Sequence, residues 1–222
     1  MRTLHHFWLS PFCRKIRIAL REKNLDFQLV LEQVWQPSAD FLRLNPAATV
    51  PVLIDENGTV VADSYAITEY IEESYQTPPL FGGTPQQRAE TRRLVAWFDT
   101  KFHREVGEPL VREKAIKRFL RQGEPNSAAI RAGQQNIHYH LDYIAWLSDR
   151  RKWLAGDEFS FADIAAGAHL SVVDYLGDVP WDQHEGARFW YQRIKSRPSM
   201  RALLADHIPG LPPPAHYADL DF

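Results

Sequence analysis

Two short stretches carry the side chains best suited to chemistry. Ser10-Pro11-Phe12-Cys13 places a hydroxyl and a thiol within one turn of a helix start. The unpaired N–H groups there favour a thiolate, which lowers the pKa of a nearby cysteine and makes it reactive. The competing reading is structural. Ser10 caps the helix, Pro11 sits where its missing N–H costs nothing, and Cys13 packs as a small apolar side chain. The second stretch runs from Leu44 to Asp55 and on to Asp63-Ser64. Val50-Pro51 stands directly ahead of the apolar run Val52-Leu53-Ile54, and proline is tolerated at the first residue of a strand. An X-Pro bond held cis at that point leaves the backbone groups of Val50 facing outward for a ligand. Asp63 or Ser64 caps the helix that follows, whose free N–H groups can receive an anion.

The elements that position these groups follow from pattern. Leu4 to Leu9 reads as a first strand, followed by a helix whose apolar face holds Cys13, Ile16 and Leu20, ending at Asn24. Phe27 to Leu31 is a second strand, and Pro37 to Leu44 a short helix. Val52 to Ile54 and Val60 to Ala62 pair through an Asn57-Gly58 turn, since both turn residues tolerate positive φ. A helix from Tyr65 to Tyr75 completes the order β-α-β-α-β-β-α, which is that of a thioredoxin-like sheet.

Beyond Tyr75 the strand pattern disappears. Thr77 to Pro85 is dense in proline and glycine, the composition of a linker. Helical segments are expected at Gln86 to Val106, Pro109 to Arg121, Ser127 to Ser148, Ser160 to Leu176 and Gly186 to Ser196. Ser160 and Asp163 form a capping box, with Phe159 and Ile164 spaced as a hydrophobic staple, so Asp163 is a folding device. After Ile208 the chain turns proline-rich and ends His216-Tyr217-Ala218-Asp219-Leu220-Asp221-Phe222. That tail either straps across the body or projects an acidic-aromatic end into solvent.

Composition narrows the partners. A net charge of −2 over 222 residues gives no whole-chain attraction to nucleic acid or anionic membrane. No apolar run approaches the roughly 18 residues of a membrane span, and no leader-type apolar segment follows Met1, so the reading is cytoplasmic. One cysteine rules out an internal disulfide. The histidines are scattered: His138 and His140 fall on different helix faces, so no metal site is expected. The segment holding Lys101, Arg104, Arg112, Lys114, Lys117, Arg118 and Arg121 is locally basic. It is either a solvated helix face or a patch for an acidic protein.

Ser10-Pro11-Phe12-Cys13, Asn45-Pro46, Val50-Pro51, Asp63-Ser64 and Ser160-Phe161-Ala162-Asp163 together resemble the glutathione S-transferase superfamily, over nearly the whole chain through Ile208. The resemblance implies an α+β fold. Its expected parts are a thioredoxin-like domain over 1–76, a linker over 77–85, an all-helical domain over 86–208 and a tail over 209–222. It also implies that Ser10 faces the glutathione sulfur, beside a pocket of Thr49, Val50, Pro51, Asp63 and Ser64. Related enzymes place a glycine and then a long cationic or amide side chain just before Val-Pro, to meet a glutathione carboxylate. Here those positions are Ala48 and Thr49. Thr49 cannot replace a charge-assisted bond worth roughly 1.5–3 kcal/mol, so glutathione binding is expected to be weak or absent.

A narrower resemblance rests on the start Met1-Arg2-Thr3-Leu4-His5-His6-Phe7 and on the tail. It is to the FtsZ-binding division proteins of alphaproteobacteria built on this fold. It implies a non-catalytic, homodimeric binder of FtsZ filaments, cytoplasmic and at the division site, with no nucleic-acid partner and no membrane insertion. The expected partner surface is Tyr217, Asp219, Leu220, Asp221 and Phe222, with Arg112, Lys117, Arg118 and Arg121 second. The alternative is a glutathione-dependent transferase or isomerase using Ser10, with Cys13 beside it.

Overall fold

The computed structural model describes all residues, 1–222. Its first half is built from β1 (Arg2–His6), α1 (Pro11–Glu22), β2 (Phe27–Leu31), α2 (Ala39–Leu44), β3 (Val52–Ile54), β4 (Val60–Ala62) and α3 (Ser64–Ser74). One four-stranded sheet runs in the order β2-β1-β3-β4. β1 pairs parallel with β2, from Arg2 opposite Phe27 to His6 opposite Leu31, and antiparallel with β3. β3 and β4 close as a hairpin, Val52 opposite Ala62. The expected β-α-β-α-β-β-α order is present. The expected first strand, Leu4 to Leu9, is not. It starts two residues earlier and stops at His6, because the chain turns there: the Ser10 N–H donates to the Phe7 carbonyl at 3.1 Å, which brings Ser10 to the head of α1.

The second half is helical, with α4 (Pro85–Ala96), α5 (Glu108–Val111), α6 (Lys117–Leu120), α7 (Ser127–Arg150), α8 (Phe161–Tyr175), α9 (Glu185–Lys195) and α10 (Arg201–Leu204). Thr84 opens α4 with a reciprocal capping box to Gln87. α4 then widens into π-helical turns from Trp97 to Gly107 and again from Arg112 to Ile116, so the two expected segments, Gln86 to Val106 and Pro109 to Arg121, form one continuous rod with changes of pitch. The first π-helical stretch ends at Gly107, two residues before Pro109, whose missing N–H removes a donor from the ladder.

A single cluster of 37 buried residues runs from Leu4, Ile16 and Leu53 of the sheet layer to Ile164, Trp190 and Leu203 of the bundle. The two halves therefore share one core. α1 is the pivot, and it is buried nearly all round, including Arg14, Lys15 and Arg17. Each of these cations finds its partner in the helical half. Arg17 clasps Asp206 at 2.6 and 2.8 Å, Lys15 pairs with Asp99, and Arg14 donates to the hydroxyls of Ser171 and Tyr217 at 3.0 Å. Removing one partner of such a buried pair strands a charge in low dielectric, at a cost of about 3–5 kcal/mol.

Candidate functional site: a cleft without its cation, a strapped tail and a basic-aromatic face

The cleft is set by the loop between α2 and β3. Asn45 organises it: its side-chain amide donates to the Thr49 carbonyl at 2.8 Å and to the Thr49 hydroxyl at 3.1 Å, and its own oxygen accepts from Ala47 N–H at 3.1 Å. Ala48 takes φ of +56°, a left-handed conformation suited to glycine and costing an alanine roughly 1–2 kcal/mol. The Val50-Pro51 bond is cis. Across the cleft Asp63 caps α3, its carboxylate accepting from Tyr65 and Ala66 N–H at 2.7 and 3.3 Å. Phe12, Thr49, Val50, Pro51, Asp63 and Ser64 enclose a cavity of about 240 Å³. The structure thus brings Thr49, Val50, Pro51, Asp63 and Ser64 together. No cation lines the cavity, and Thr49, in the place of one, is tied into its own loop by Asn45.

Ser10 and Cys13 do not share this wall. Ser10 is the N-cap of α1, its hydroxyl accepting from Cys13 N–H at 3.2 Å, while Phe12 projects to the cavity. Of the two readings of Cys13, the buried position is that of the packed apolar side chain. The thiol is completely buried, and desolvation pushes its pKa up to about 11, outweighing the Ser10 side chain, the Phe7 backbone and the Arg17 charge, which lower it. Asp163 behaves as a folding device: besides Ser160 N–H it accepts from Leu154 N–H at 2.9 Å and from the Trp190 indole at 3.1 Å.

The tail is a strap, which corrects the reading of Tyr217 and Phe222 as partner-facing anchors. Tyr217 has no exposed surface; its hydroxyl accepts from Arg14 and donates to the Leu203 carbonyl at 3.1 Å. Phe222 lies over the Lys195 ammonium at 3.9 Å and edge-on to Trp181. The reason is the uncompensated charge of Arg14, which lacks a carboxylate partner and is met by the Tyr217 hydroxyl and the ring faces of Tyr175 and Tyr217. Between the two anchors Asp219, Leu220 and Asp221 remain exposed.

In the basic segment Lys114 pairs with Asp178 and Lys117 with Glu113, each at 2.6 Å, whereas Arg112, Arg118 and Arg121 are exposed. Trp35, 38 % exposed, tilts against Phe119 at 6.5 Å and stands edge-on to Phe7. Sequence reasoning missed Trp35. Its only signal was a large aromatic in a loop following β2, and the basic helix it meets lies more than 80 residues away.

The sheet, the bundle and this cleft define a class. Residues 9–74 match the glutathione S-transferase N-terminal domain family and residues 114–198 the glutathione S-transferase C-terminal domain family. The chain belongs to the glutathione S-transferase family. Within it, the chain is 50 % identical over 224 residues to FtsZ-localized protein A of Caulobacter vibrioides, covering 100 % of this chain and 98 % of that protein. The solved structure of FzlA from C. crescentus is similar at a TM-score of 0.96 and 50 % identity, over 100 % of this chain and 99 % of that one. A glutathione S-transferase from Rhodospirillum rubrum F11 is similar at 0.99 and 56 % identity, over all of both chains.

Proposed function

We propose that this chain is a non-catalytic regulator of bacterial cell division that binds FtsZ filaments, acting as a cytoplasmic homodimer at the division site. The observation that carries the reading is the full-length, 50 % identity to FtsZ-localized protein A, which extends through both ends of the chain. The cleft supports it. Thr49 in a cation's place, held by Asn45, removes the charge-assisted grip on a carboxylate, and Cys13 is sealed in the core. The filament contact is assigned to the segment that carries the exposed Arg112, Arg118 and Arg121 together with Phe119, which packs against the exposed Trp35, because an exposed aromatic and guanidinium groups without an ion-pair partner are the usual anchors of protein interfaces. The exposed Asp219-Leu220-Asp221 segment of the strap is a second contact. Co-sedimentation with GTP-assembled FtsZ tests this. Arg118→Glu is expected to cut pelleting with an unchanged melting temperature, and Asp221→Lys to weaken it further. If both variants pellet like the parent chain, both surfaces are wrong.

The second reading, a glutathione-dependent transferase or isomerase, is favoured by the intact Asp63 cap and by the R. rubrum relative's name. Its signature would be saturable glutathione binding lost in Ser10→Ala.

A further inference from the structure

α9 turns Ala187, Trp190, Tyr191 and Ile194 into the core and leaves Phe189, Gln192 and Arg193 at helical spacing on another side. These three line an open groove of about 730 Å³, and the end of the strap, Leu220 and Asp221, lines the same groove. It shares no residue with the cleft at Val50-Pro51. Two large apolar side chains stand exposed in it, Phe189 at 54 % and Leu220 at 41 %. Two of its charges are unmatched as well. Arg193 lies over the Trp153 ring at 4.1 Å and donates to the Lys152 carbonyl at 2.8 Å, but meets no carboxylate. Asp221 gives its backbone N–H to Asp219 at 3.0 Å and leaves its own carboxylate without an ion pair. The remaining cation, Arg197, is already clasped by Glu22 at 2.7 Å.

We propose that this groove is a face on which two copies of the chain associate about a two-fold axis, Phe189 of each against Leu220 of the other and Arg193 of each against Asp221 of the other. A two-fold contact needs a patch that complements itself, so that one residue meets a second while the second meets the first. The groove offers two such pairs on one surface, an exposed aromatic with an exposed leucine and an unpaired guanidinium with an unpaired carboxylate. A partner of a single charge sign would match only one of those charges. Within one chain the charged pair stays apart. Arg193 is held on Trp153, and Asp221 sits between the strap anchors Tyr217 and Phe222. Both sides are therefore ordered before they meet, which spares the contact much of its entropic cost. The lining falls well short of the roughly 20–30 residues a side of a stable interface, so the association is weak and reversible. Its consequence rests on the filament-binding reading: copies joined through α9 would tie together the filaments they occupy.

The test is sedimentation velocity of the full, tag-free chain at low salt and without FtsZ, from about 1 to about 300 µM, the range of a weak contact. The weight-average sedimentation coefficient is expected to rise with concentration. Arg193→Glu and Asp221→Lys should each weaken the association more than about 10-fold, because each sets like charges together twice in one contact. Mixed one to one, the two variants should associate again, since each then meets an opposite charge on the other. Phe189→Ser should also weaken it. All three positions are exposed, and melting curves check that each variant keeps the fold. A coefficient that stays flat in the parent chain, a rise that both charge variants retain, or variants that stay apart when mixed would overturn the proposal. Because FtsZ is absent, none of these outcomes bears on the filament reading.

Discussion

Replacing Tyr217 with phenylalanine removes one oxygen from the point where the strap locks the two halves together. That oxygen accepts from buried Arg14 at 3.0 Å and donates to the Leu203 carbonyl at 3.1 Å. A hydrogen bond to a charged group contributes about 1.5–3 kcal/mol and a neutral one about 0.5–1.5 kcal/mol. Arg14 has little in reserve. One of its Nη atoms already lacks a partner, so after the change its guanidinium keeps only Ser171 and the Trp8 carbonyl. A loss of about 2–4 kcal/mol follows. For a chain of this length each kcal/mol moves the melting temperature by about 2–4 °C. Tyr217→Phe is therefore expected to melt roughly 4–16 °C below the parent by circular dichroism, with a matching fall in the urea midpoint and an unchanged m-value. A melting temperature within 1 °C of the parent would refute the lock. The same reasoning governs how the tail is cut. Ending the chain at Ile208 deletes Tyr217 and strands Arg14, so its loss of partner binding reports misfolding. Ending it at Ala218 keeps the lock and removes Asp219 to Phe222.

Three other outcomes follow from the site and the core. Cys13, with its pKa pushed up to about 11 by burial, should resist alkylation at pH 8 in the folded chain and react fully in denaturant; rapid native labelling would contradict its placement. Thr49→Arg restores a cation to the cleft, and calorimetry should show glutathione affinity rising about 10-fold or more, whereas no change would mean that the cleft is closed for another reason. Burial holds His6 at a pKa of about 3 and His140 at about 4, while in the unfolded chain both accept a proton near 6.5. The unfolded state then binds more protons below pH 6.5. Stability is complete above that pH and is lost as the pH falls toward 4, so the urea midpoint should drop between pH 7.5 and 5. A flat or rising midpoint over that window would count against these burials.

Local chemistry made much of the fold legible. Phe27–Leu31, Val52–Ile54 and Val60–Ala62 are strands where their β-branched and apolar runs placed them, and Gly58 takes φ of +84° in the expected turn. Ser10, Asp63 and Ser160 cap the helices they precede, because a cap depends on neighbours two or three residues away. The cleft was legible for the same reason, since Asn45 to Asp63 are close in sequence. What could not be read were features whose causes lie far along the chain. α1 shows an ordinary amphipathic pattern, yet Arg14, Lys15 and Arg17 are buried because Tyr217, Asp99 and Asp206 arrive from 84 to 203 residues away. Tyr217 looks like a tail aromatic until Arg14 is beside it.

The central claim is that the fold serves FtsZ filaments rather than glutathione. Co-sedimentation with FtsZ in GTP and in GDP, using the full chain, tests it most directly. Pelleting that requires assembled FtsZ and survives excess glutathione is the predicted result. A chain that stays in the supernatant with GTP-assembled FtsZ, while binding glutathione saturably through Ser10, would contradict it.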